Sequence, residues 1–165
     1  MGVDPDVTTP RPLEPIHRRG ARILLLDTAG RLLLLRGHDP AGGRGHYWFT
    51  VGGGLKPGET PRQAAVRELY EETGLRAPAE ALTGPIWHEV TEFPFNNRWY
   101  RQEQDFFVLR VPEWTVTPAG LETIEQVSID GFRWWTCEEL ESTTETYYPV
   151  KLPMLVRLVL EGGEA

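Results

Sequence analysis

The chain has 165 residues, 40% hydrophobic and 10% aromatic, enough to bury one core and too short for two ordinary domains. Its formal net charge of −7 argues against a nucleic-acid coat or a binder of anionic membranes, since both need a basic surface. A single cysteine, Cys137, excludes an intramolecular disulfide and any cysteine-rich zinc ribbon.

Residues 1–18 carry Pro5, Pro10, Pro12 and Pro15 among few apolar side chains, and are expected to form a disordered or loosely packed arm before one domain over 19–165. The start of the chain has no apolar stretch of the secretory kind. No run approaches the roughly 20 apolar residues that span a bilayer, so the expected location is cytoplasmic, without a membrane partner. Ala21 to Leu26 and Arg31 to Leu35 read as strands joined by a hairpin-like turn over Asp27-Thr28-Ala29-Gly30. Gly37 to Gly45 reads as a flexible loop and Tyr47 to Val51 as a short aromatic strand. Trp87 to Phe95 and Trp99 to Val111 read as a second hairpin turning at Asn96-Asn97, and Phe132 to Trp135 as a further strand. A short helix is expected from Cys137 to Glu141. Lys151 to Leu160 has helical apolar spacing at Leu152, Leu155, Val156, Val159 and Leu160. Strands on either side of one central helix, then a terminal helix, suggest an α/β fold with a mixed sheet covered on both faces.

The central segment, GGLKPGETPRQAAVRELYEETGL from Gly53 to Leu75, is the most informative. Its opening glycines read as a loop that lets backbone approach closely, and one helix follows. Thr60 is its expected N-cap, Pro61 the first helical residue, Gln63 the partner in a capping box and Gly74 the left-handed stop. Val66, Leu69, Tyr70 and Thr73 recur at helical spacing and form the expected packing face. Ala64, Glu68, Glu71 and Glu72 gather on another side. Like charges one turn apart, as at Glu68 and Glu72, destabilise a bare helix by roughly 0.2–0.5 kcal/mol per pair. Arg67, four residues before Glu71, offsets part of that. Divalent cations between the carboxylates account for the crowding better than a solvated acidic face does. Mg²⁺ suits them as a hard, oxygen-seeking ion, with Mn²⁺ able to replace it.

Gly53, Glu59, Arg67, Glu68, Glu71, Glu72 and Gly74 fill the pattern G-x5-E-x7-R-E-L-x-E-E-x-G-L, and the chain is thereby identified as resembling the Nudix hydrolases. The resemblance implies a Nudix-type α/β/α sandwich with a mixed β-sheet. It also implies Mg²⁺-dependent hydrolysis of a phosphoanhydride bond in a nucleoside diphosphate linked to another group, such as a nucleoside triphosphate, nucleotide sugar or dinucleotide. On it, Glu68, Glu71 and Glu72 face metal and the Gly53 carbonyl completes the coordination. Arg67 orients the glutamates and Glu59 braces the loop. The expected partner is a small-molecule nucleotide and not a nucleic-acid duplex. Homodimers are common in the family, and nothing in the sequence decides for or against one.

Members often recruit one more acid from outside the box. The candidates are Glu125 first and Glu103 second, with Asp105 sharing the face of Glu103 by alternation and Glu122 lying near Glu125. Arg36, His38, Arg44 and His46 before the box, and Arg98 and Arg101 from the second hairpin, are candidate phosphate contacts. Trp48, Phe49, Trp99 and Tyr100 are candidate stacking platforms, with core packing the preferred reading for Phe49. Trp134 and Trp135 are adjacent on a strand, so one is expected to point inward and one outward. Val90 to Phe93 lacks the proline of ADP-ribose hydrolases and the tyrosine of dinucleoside polyphosphate hydrolases, although Pro94 follows. Two other classes share the scaffold, a non-catalytic nucleotide sensor and an isomerase. The complete set of box glutamates favours catalysis over sensing, and Cys137 lies in the wrong region for the isomerase.

Overall fold

Ile23, Leu24, Leu25 and Leu26 are all fully buried, which one strand achieves only if both of its faces are covered. They end β1 (Ile16–Leu26). In chain order follow β2 (Leu32–His38), β3 (His46–Gly54), α1 (Pro61–Thr73), a 3₁₀ turn (Ala79–Ala81), β4 (Thr83–Phe95) and β5 (Arg98–Arg110). Then come β6 (Ile129–Trp135), α2 (Cys137–Ser142), β7 (Tyr147–Tyr148) and α3 (Leu152–Leu160). The structure, a computed structural model, describes residues 14–42, 45–121 and 128–162.

The described strands form one mixed seven-stranded sheet ordered β4-β5-β1-β2-β3-β7, with β6 paired to β2. β1 runs parallel to β5 along its whole length, from Ile16 opposite Tyr100 to Leu26 opposite Arg110. It meets β2 antiparallel only at Leu26 and Leu32, and pairs antiparallel with β3 from Gly20/Gly54 to Ile23/Val51. β3 therefore leaves β2 partway along and crosses to β1, which curls the sheet.

Alternate residues of β1 enter different cores. Leu24 and Leu26 pack with Trp135, Cys137, Leu152 and Val156 against α2 and α3, while Ile23 and Leu25 pack with Ala65, Leu69 and Phe107 under α1. Helices on both faces make this an α/β sandwich. No described helix is long and apolar enough to cross a membrane.

Several boundaries move. β1 begins at Ile16, inside the segment assigned to the arm, and the rest of that arm up to residue 13 lies outside the described residues. β3 continues through Gly52, Gly53 and Gly54, so these glycines belong to a strand and not to a loop. β7 is two residues long, too short for any periodic signal. Trp134 and Trp135 both pack, on opposite faces, because β6 is covered on each side: Trp135 joins the α3 core and Trp134 the α1 core. Asn96 and Asn97 both take positive φ, 50° and 65°, the backbone that a tight two-residue hairpin requires.

Candidate active site

Helix α1 is held at both ends by its own sequence. The Thr60 side chain accepts from the Gln63 N–H at 3.2 Å, and Gln63 Oε1 accepts from the Thr60 N–H at 2.9 Å. Gly74, at φ +78°, ends the helix by donating its N–H to the Tyr70 carbonyl.

The helix is rotated relative to the expected packing face. Leu69 and Thr73 are buried and the half-buried Val66 packs on the same core as expected, but Tyr70 does not join it, and Ala64, Ala65, Glu68 and Glu72 are buried beside them. Glu68 is 6% and Glu72 2% exposed, which excludes a solvated acidic face. Two glutamates can face a sheet here because β3 presents glycines. A Cβ added to Gly53 would lie 2.5 Å from Glu68 Oε1, and the Gly52 N–H donates to Glu72 Oε1 at 2.8 Å.

Arg67 ties the acids together. Its Nε and Nη2 reach the two oxygens of Glu59 at 2.7 and 2.9 Å, and Nη2 also donates to the Gly54 carbonyl at 2.9 Å. Nη1 bonds Glu68 at 3.0 Å and Glu71 at 3.2 Å. Glu59 in turn accepts from the Lys56 N–H at 2.7 Å, closing the loop before the helix. A second guanidinium lies on the strand side. Arg22 donates to Gln104 Oε1 at 2.7 Å and to the carbonyls of Thr50 and Gly52 at 3.1 and 3.0 Å.

This packing moves the proton equilibria. The hydrogen bonds from Arg67 hold Glu59 below the usual carboxylate range, and those bonds raise Arg67. Loss of water pushes Glu71 up, and the neighbouring charge of Glu68 adds to it. Arg22 is drawn down by burial against the opposing pull of Glu72 and Glu68. Carboxylates desolvated beside one another, with one forced up, form a donor set of hard oxygens that fits a divalent cation. The Cβ-free cradle at Gly53 leaves Glu68 the space for its carboxylate.

Glu68 and Glu72 open onto a cavity of about 440 Å³, within the usual range for small-molecule sites. Arg18, Lys56 and Arg67 supply cations along its wall, and Tyr47, Phe49 and Tyr148 supply aromatic surface. Its inner wall carries the buried polar side chains Thr91, Gln102 and Gln104.

The structure brings only part of the expected constellation to this cavity. Phe49, read as core, lines it, whereas Trp48 is 7% exposed and packs on Trp135 at 5.2 Å with its N–H on Glu145. Trp99 is buried, and Arg98 is exposed and does not line the cavity. Arg101 and Glu103 point away because Gln102 and Gln104 face in, and strand residues alternate. Glu103 lies beside His88, and Asp105 bonds that histidine at 2.8 Å. Arg36, His38 and His46 converge instead on Asp130, outside the cavity. Arg44, Glu122 and Glu125 lie outside the described residues. Among the described residues, the acids that share the cavity from beyond the box are Glu89 and Asp39.

Sequence reading missed Arg18 and Arg22. The run HRRGAR was a usable signal, since cations four apart on a strand share one face. Gln102, Gln104 and Thr91 carried none, because polar residues on a strand read as its solvent side.

Comparison with known proteins bears on the same region. A family model described as NUDIX domain matches residues 16–157. Among curated proteins, an RNA pyrophosphohydrolase of Rhodopseudomonas palustris (strain BisB18) is 31% identical over 127 residues, covering 70% of this chain and 69% of that protein. Another, from strain HaA2, is 28% identical over 160 residues, covering 90% and 92%. A NUDIX hydrolase structure from Nitrosomonas europaea superposes with a TM-score of 0.59 at 21% identity, covering 92% of each chain. A C. elegans Ap4A hydrolase binary complex does so with a TM-score of 0.58 at 22% identity, covering 88% of this chain and 98% of that one.

Proposed function

The chain belongs to the Nudix family of hydrolases, and from that premise we propose that it is a Mg²⁺-dependent pyrophosphohydrolase of nucleotides. The observation that carries the reading is the burial of Glu68 and Glu72 against glycine backbone at the wall of a cavity that also holds cations. A merely structural helix gains nothing by desolvating two carboxylates.

Glu68, Glu71 and Glu72, with the Gly53 carbonyl, would hold Mg²⁺, or Mn²⁺ in its place. When bound, the ion supplies Lewis-acid polarisation of a phosphoryl oxygen and a water of lowered pKa. The chain's own residues then do the rest. Arg67 fixes the directions of Glu68 and Glu71 and neutralises part of their mutual repulsion, while Glu59 keeps Arg67 in place. Arg18 and Lys56 meet the phosphate oxygens from the cavity wall, where charge stabilisation counts most. A carboxylate of the helix or of a nearby loop would take the proton of the attacking water. Phe49 and Tyr148 offer ring surface to a base.

Substrates consistent with this site are nucleoside triphosphates, nucleotide sugars and dinucleotides, and the names of the curated relatives, RNA pyrophosphohydrolases, add RNA. The test is phosphate and pyrophosphate release with Mg²⁺ from a panel spanning these classes, wild type beside Glu72→Gln. Turnover of one class, lost by at least about 100-fold in the variant, supports the reading. Nucleotide binding without turnover anywhere on the panel would favour a sensing module.

A further inference from the structure

Three side chains outside the cavity converge from three strands. His38 ends β2 and His46 begins β3, and the two residues are paired directly across those strands. Their rings are 5.6 Å apart, edge to face. Asp130 comes from β6, on the other side of β2. There the register passes from Gly37 opposite Ile129 to Arg36 opposite Gly131 and skips Asp130. Such a bulge re-aims one side chain. The Asp130 carboxylate lies with Oδ2 2.7 Å from His46 Nε2 and 3.3 Å from His38 Nδ1. Its other oxygen, Oδ1, accepts from Arg36 Nε at 2.7 Å. None of these four residues lines the cavity of the helix carboxylates.

We infer that His38, His46 and Asp130 form a second metal site, selective for a borderline transition cation of the Zn²⁺ kind and separate from the carboxylate site. The three ligand atoms lie within 4.8 Å of one another. A tetrahedral ion with bonds near 2.0–2.2 Å holds its ligands roughly 3.3 Å apart, so small side-chain rotations are enough to close on one. Two imidazoles and one carboxylate favour Zn²⁺, Co²⁺ or Ni²⁺, whereas Mg²⁺ takes the all-oxygen set on α1. Arg36 holds the second oxygen of Asp130, as outer-shell donors orient ligating carboxylates, and its own guanidinium stands over Trp48 at 5.9 Å. Three protein ligands leave a fourth position for water or another donor.

The site joins β2, β3 and β6 and closes both ends of the segment between His38 and His46. An ion here would clamp the edge where β6 enters the sheet, so its expected effect is on the stability of that edge. The alternative is that Asp130 merely hydrogen-bonds two histidines at the surface.

The test is Co²⁺ titration of the full chain, stripped with chelator and kept in excess Mg²⁺ so that the helix carboxylates are occupied. One equivalent is expected to bind with a visible absorption band. His46→Ala and Asp130→Asn are each expected to weaken it at least tenfold, while Glu72→Gln leaves it intact. His46 is 54% exposed at its side chain, so its loss leaves the fold in place. In the unaltered protein, Zn²⁺ is expected to shift the imidazole nitrogen resonances of both histidines. Co²⁺ binding unchanged in both variants, binding lost in Glu72→Gln, or imidazole resonances unmoved by Zn²⁺ would each overturn the site.

Discussion

Glu72 Oε1 accepts a 2.8 Å hydrogen bond from the backbone N–H of Gly52, so the last carboxylate of the helix is tied to the strand that leads into it. Helix and glycine run are therefore one device. The glycines leave the volume, and the glutamates fill it with charge.

The three consecutive glycines are expected to respond differently to alanine. At Gly54 the new Cβ meets the Arg18 guanidinium, the movable end of a long side chain, and stability should barely change. At Gly53 it meets the buried Glu68 carboxylate, at a cost of about 1–3 kcal/mol and a loss of turnover of at least about tenfold. At Gly52 it meets the backbone of Ala21 and Arg22, from a φ of +140° that alanine rarely adopts, and the cost should be the largest. Thermal unfolding of the three variants gives the ranking. A Gly54→Ala variant as unstable as Gly52→Ala would contradict it.

Arg67→Lys keeps the charge and loses the fork. A lysine has one nitrogen for the places now held by three, and cannot serve Glu59, Glu68, Glu71 and the Gly54 carbonyl together. Stability is expected to fall by about 1–3 kcal/mol, and turnover by more than tenfold. Denaturant unfolding alongside steady-state rates separates the two. Wild-type behaviour in both would mean that charge alone suffices.

Without metal, Glu71 works against the fold, since burial and the nearby Glu68 both oppose its charge. Glu71→Gln is therefore expected to stabilise the chelator-treated protein by about 0.5–2 kcal/mol while reducing turnover. Adding Mg²⁺ should stabilise the wild type more than the variant. A variant less stable than wild type in chelator would remove the electrostatic argument.

Glu59 supplies a pH test. Its folded pKa lies below its unfolded one, mainly through the hydrogen bonds of Arg67. Its contribution to stability is present above the unfolded value of about 4.3 and is lost as pH falls through the folded value. The stability gap between wild type and Glu59→Gln should thus be widest near neutrality and close in acid. Unfolding midpoints from pH 7 to pH 3 measure it, and a gap that widens in acid would reverse the sign.

The box was legible because each of its parts is local. Thr60, Pro61, Gln63 and Gly74 act within a turn of their own positions, and both caps form as their spacing requires. The apolar runs of β1 and β2 and the Asn96-Asn97 turn are local in the same sense. The helix face was misjudged at Tyr70 because hydrophobicity alone points to it. That Glu68 and Glu72 face the sheet depends on glycines of a strand brought alongside.

Glu103 and Gln102 show the remaining difference. As neighbours in sequence both were available as site residues, and the pairing of β5 with β4 and β1 decided that Gln102 faces the cavity and Glu103 does not. The same holds for Trp48, turned into the α3 core, and Phe49, turned to the cavity. The sequence by itself determined the glutamate helix with its caps, the glycines before it and the family to which they belong. Only the tertiary structure decided which polar and aromatic side chains wall the cavity and which three meet at Asp130. A strand residue's side depends on the register and curl of strands far apart in the chain, and no local spacing encodes that.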